Sequence, residues 1–135
     1  MAEITIPQKV WKSFLKTFGD RHAGWLIQLQ IHDIETDERV SSNISALHSI
    51  ELDEEDEKNQ RIKVTVLYDS KALTHILFRP SRVILHISEQ DGEDSLRISS
   101  LNTDTTVRIR GAKNIDALDV LKTLNVLEVV RDEAA

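Results

Sequence analysis

From Ile62 to Ile109 apolar and polar residues alternate, and this pattern constrains the fold more than any other feature of the chain. Ile62, Val64, Val66 and Tyr68 alternate, as do Ile76 with Phe78 and Val83, Leu85 with Ile87. Leu96 with Ile98 and Val107 with Ile109 continue the series. Turn-forming breaks separate the runs at Asp69-Ser70-Lys71, Arg79-Pro80-Ser81-Arg82, Gln90-Asp91-Gly92-Glu93 and Asn102-Thr103. Successive side chains of a strand point to opposite faces, so these runs predict strands with one buried face. Closing the break at Arg79 to Arg82 sets Phe78 opposite Val83 and Ile76 opposite Leu85. Ile87 then meets Leu96, Leu85 meets Ile98, Ile98 meets Val107 and Leu96 meets Ile109, all on one face. A one-residue slip would turn every side chain over, so the agreement predicts an antiparallel meander.

Upstream, Val10, Trp11, Phe14, Leu15 and Phe18 fall on one helical stripe. Pro7 suits a first turn, Thr5 with Gln8 resembles a capping box, and Gly19 is placed as a C-terminal stop. Trp25, Ile27, Leu29 and Ile31 then read as a strand. Ile44, Ala46, His48, Ile50 and Leu52 share a parity that Leu47 breaks, which predicts a bulge or bend there. The acidic run Asp53 to Glu57 lacks the glycine and ligand spacing of an EF-hand and reads as a solvated loop. Near the end, Asn114 and Asp116 suit a helix start, and Ala117, Leu118, Val120, Leu121 and Leu124 share a side. The expected fold is therefore α+β: an N-terminal helix on a mainly antiparallel meander of six or seven strands, with a C-terminal helix. It forms a single domain, with residues 1–111 as helix plus meander and 112–135 as C-terminal helix and tail. Trp11, Phe14, Phe18, Trp25, Ile76, Leu85 and Ile98 are expected in the core.

The 135 residues are 40% apolar and 30% charged, which suits one globular core. Without cysteine, disulfides, thiolate nucleophiles, iron–sulfur clusters and zinc fingers are excluded. A net charge of −6 opposes the field that nucleic acid or anionic lipid would need, so neither is expected as a partner. No apolar run reaches a membrane-spanning length and no signal-peptide pattern opens the chain, so a cytoplasmic location is expected.

Some of these residues form a wider pattern. Ile6-Pro7, Trp11, Phe14 and Phe18, then Arg21-His22-Ala23-Gly24-Trp25-Leu26, resemble a bacterial family described only as a domain of unknown function. Leu73-Thr74-His75, Pro80 and Val83, with Leu47 and Ile50 upstream, are similar to it as well. The resemblance spans Ile4 to Arg110; Ala112 to Ala135 look like an addition. It implies a bacterial source and carries no activity with it.

Nucleophile elbows and phosphate-cradling glycine loops are missing from the sequence, and no cofactor is implied. The expected register sets His75 opposite His86, away from the core, where facing imidazoles could share a metal. A third ligand is not obvious, although His48 or His32 could supply one. The same register pairs Leu77 with Ile84 on the outer face, with Leu73 further along. Such a patch needs a cover, either the C-terminal helix through Leu118 and Leu121, a second copy, or another protein. The expectation is a non-catalytic protein-interaction or self-associating module. The alternative is a small-ligand or metal-binding protein using a helix–sheet pocket or the His75/His86 pair.

Overall fold

The computed structural model describes residues 2–56, 58–87 and 94–111. These residues form an α+β structure with one helix among them, α1 (Trp11–Arg21), entered through a short 3-10 turn, Gln8–Val10. Nine strands form one sheet: β1 (Ala2–Thr5), β2 (Leu26–Asp33), β3 (Arg39–Ser41), β4 (Ser45–Asp53), β5 (Arg61–Tyr68), β6 (Lys71–Phe78), β7 (Arg82–Ile87), β8 (Asp94–Ser99) and β9 (Thr103–Gly111). Their order is β1-β7-β8-β9-β2-β4-β5-β6, with β3 beside β2. Each described ladder is antiparallel.

The sheet folds over on itself. β6 ends the strand order, yet only Arg79, Pro80 and Ser81 lead from it to β7 near the other end. That crossing is possible because the two arms face each other: Leu101 N–H donates to Phe78 O at 3.0 Å, and Ser81 N–H to Ser99 O at 2.7 Å. The hinge is the β2–β4 ladder, where only Leu26 with Ala46 and Ile27 with Ser45 are in register. Between the arms lies one apolar cluster, with Val83, Leu96, Ile98 and Val107 from one arm and Ile50, Ile62, Val64 and Leu77 from the other.

Beyond Leu47, β4 has no β2 partner, and α1 packs along it there. Trp11, Leu15 and Phe18 join the core, as the helical stripe predicts, while Val10 is exposed. Gly19 does not stop the helix; it lies inside α1 and is buried. A Cβ at that position would stand 2.8 Å from Ile50 N, so the glycine is what lets helix and strand backbones touch. The helix instead ends at His22, whose backbone N–H reaches Phe18 O. The Thr5–Gln8 capping box is not formed: Thr5 belongs to β1, and Pro7 precedes the 3-10 turn without a side-chain cap.

The expected break at Leu47 is present as a register shift between Leu47 and Ser49. The meander differs in its turns. β6 does not pair with β7; it pairs with β5 across Asp69-Ser70, both with positive φ, as a two-residue hairpin turn of that twist requires. In β8–β9 the turn closes from Ser100 N–H to Thr103 O, which sets Ile98 opposite Thr105 and Leu96 opposite Val107. Leu85 meets Leu96 and Val83 meets Ile98. These are two-residue shifts, so Leu85, Leu96 and Ile98 keep the expected face. The expected C-terminal helix and tail lie outside the described residues.

Candidate functional site

β6 is the long open edge of the sheet. Arg61 opposes Phe78, Lys63 opposes Ile76 and Thr65 opposes Thr74 on its outer face. Thr65 and Thr74 join their hydroxyls at 3.0 Å. On the inner face Ile62, Val64 and Val66 oppose Leu77, His75 and Leu73. Among the described residues no strand pairs with the other side of β6. Three of its apolar side chains remain in solvent: Leu73 is 46% exposed, Ile76 39% and Phe78 53%. They lie on both faces of the strand, so only an element alongside the edge could cover all three.

This arrangement reverses the expected faces. Leu77, expected outward, is 7% exposed and belongs to the core, because β5 and not β7 sets the register of β6. Ile76, expected in the core, points to the outer face with Phe78. Ile84 is not paired with Leu77; it lies between Thr5 and Arg97 and is 3% exposed. Leu118 and Leu121 lie outside the described residues. His75 and His86 are not opposite one another. His75 opposes Val64, and His86 opposes Glu3 and Ser95, with His86 Nδ1 3.4 Å from Glu3 Oε2. His32 is engaged by Asp37 at 2.7 Å, which holds the Asp37 carboxyl below its usual range, and His48 is exposed. Among the described residues no three His, Asp or Glu side chains converge as a metal site needs.

A cleft of about 680 Å³ opens at the end of β6, between Phe78, Leu101, Arg61, Arg79, Glu55 and Asp56. Its polar groups largely serve each other. Asp56 accepts from Asn59 Nδ2 and from Lys58 N–H, contacts that lower its pKa. Arg61 donates to Asp53, and Arg79 Nε donates to Asn59 Oδ1 at 3.3 Å. Asp53 is held down to about 2, first by the Glu55 backbone N–H and then by Arg61, so it is a fixed anion tying β4 to β5. Arg79 itself has φ 50, a conformation strained for arginine before proline. The cleft and the open edge share Phe78 and form one continuous surface.

Sequence reasoning missed His22. It is buried between Phe18 and Trp25, with ring centroids 4.3 and 4.7 Å away, and its Nδ1 reaches Phe18 O at 2.9 Å. The signal was its place four residues after Phe18, on the helical stripe. Its packing marks it as part of the helix terminus. Compared with protein-family models, curated proteins and solved structures, the chain finds no match.

Proposed function

We propose that this protein is a non-catalytic self-associating module whose working surface is the β6 edge. The observation that carries this reading is an eight-residue strand with no partner strand on one side among the described residues, and with Leu73, Ile76 and Phe78 in solvent. Open edges normally carry defences against pairing, such as proline, a bulge or inward charge. β6 has no proline, no carboxylate and a regular ladder to β5, and Lys71 at its start is its one Lys or Arg. A second copy adding its own β6 would pair backbone groups short of Phe78, whose carbonyl already accepts from the Leu101 N–H, and cover side chains on both faces at once. A two-strand contact is small, so the association is weak and reversible.

Sedimentation velocity over a concentration series tests this reading. The wild type should pass from monomer to dimer as concentration rises. Ile76→Lys, which changes an exposed side chain, should stay monomeric with its fold intact by circular dichroism. A wild type that remains monomeric at the highest soluble concentration would end the proposal.

A further inference from the structure

We infer that the outer face of β7, β8 and β9 is a docking site for a short acidic segment of a partner protein, held by a diagonal of Arg82, Arg97 and Arg108. This goes beyond the proposed function and does not rest on it. Val83, Leu96, Ile98 and Val107 turn inward to the core, so the alternate residues of the same strands face away from it. The three arginines are far apart in the chain and the ladders gather them. Arg82 opposes Ser99 and Arg97 opposes Ile84, so Arg97 stands one strand across and two residues along from Arg82. Arg97 opposes Thr106 and Arg108 opposes Ser95, which repeats the step in the same direction. From strand spacing and rise, the three Cα atoms follow one another at about 8 Å.

None of the three opposes a carboxylate on a neighbouring strand, and no ion pair joins any of them to one among the described residues. Arg82 is exposed, and Arg97 and Arg108 are half-buried. At the centre, Arg97 Nε is buried without a hydrogen-bond partner among the described residues, a cost that calls for a reason. Two carboxylates share the face: Asp104 lies level with Ser99 at the Arg82 end, and Glu3, on β1, is turned to His86. The chain as a whole carries −6, so a long nucleic acid would have to run out over acidic surface. β7, β8 and β9 also contain no Phe, Tyr or Trp on which its bases could stack. A short segment needs only the diagonal. Carboxylates at alternate positions of an extended backbone lie about 7 Å apart on one side, a spacing that three long guanidinium side chains about 8 Å apart can meet.

Fluorescence anisotropy at low salt tests the site on the full chain, with a labelled peptide of alternating Glu and Ser as the probe. The wild type should bind it, and binding should weaken as salt is raised. Arg97→Gln should weaken binding by about 2- to 5-fold, the range for one partly exposed ion pair. Arg82→Gln, Arg97→Gln and Arg108→Gln together should abolish it, with urea midpoints showing that the variants fold. Lys9→Gln with Lys58→Gln removes two exposed cations elsewhere and should leave binding unchanged. Ile76→Lys separates this site from the β6 edge, because it should still bind the peptide as a monomer. No binding by the wild type, equal binding by the folded triple variant, or loss of binding in the lysine pair or in Ile76→Lys would overturn the proposal. Tighter binding of a labelled single-stranded oligonucleotide, or of phosphatidylserine vesicles, would overturn it too and give the diagonal to a nucleic acid or a membrane.

Discussion

Among the described residues β4 and β6 each lack a partner strand along one side, and the two edges are treated in opposite ways. Where β4 leaves β2, α1 is laid against it so closely that Gly19 has no room for a Cβ beside Ile50. Trp11, Leu15 and Phe18 fix the helix there from the core side. Along β6 the described residues offer only the Leu101 N–H at Phe78 O, and Leu73, Ile76 and Phe78 stay in solvent. β1, the sheet's other end, is four residues long and carries Glu3, so it is a poor template. An edge sealed at the cost of a buried helix beside one left bare suggests that the bare one has a use.

The largest effect should come from loosening the seal. Leu15 is fully buried, so Leu15→Ala should cost about 2–5 kcal/mol in urea denaturation. It should also bare the β4 edge and add aggregation that Ile76→Lys does not suppress. Gly19→Ala comes next. In an exposed helix this change gains up to about 1 kcal/mol, but here the new methyl meets the Ile50 backbone at 2.8 Å. A net loss of about 1–3 kcal/mol is expected from overpacking, and a raised urea midpoint would show that helix and strand are not in contact. The smallest effect concerns Asp53, which links β4 to β5 on the outer face. Its folded pKa of about 2 lies below the ordinary 3.8, so its contribution is complete above about pH 4 and fades as pH falls toward 2. Asp53→Asn should flatten the loss of stability across that window, and an unchanged acid limb would remove Asp53 from the account.

Much of the fold was legible because period two and period 3.6 are strong local signals. The stripe Trp11, Leu15, Phe18 and the strand parity of Ile27 and Leu29 came through, as did the break at Leu47. The inner face of β8 was read correctly even with its registers two residues off, because such a shift preserves parity. The face of β6 was not legible. Ile76-Leu77-Phe78 is apolar at every position, so alternation inside the strand cannot choose a face. The choice came from a hairpin assumed between sequence neighbours, whereas Arg79-Pro80 carries the chain across to the other arm. The His75–His86 pair depended on the same assumption and separated with it. Gly19 misled for a different reason: glycine at a helix end and glycine under a strand backbone look alike until the strand is placed.

Backbone amide exchange in β6, followed as a function of protein concentration, tests the open edge most directly. If β6 is a self-pairing edge, some of its amides are unpaired in the monomer and paired in the dimer. Exchange of the β6 amides that do not bond β5 should be fast at high dilution and slow as concentration rises, while β1 and the inner strands show no such dependence. If the β6 amides that do not bond β5 are already protected in the dilute monomer, or if their exchange ignores concentration throughout, the account is contradicted.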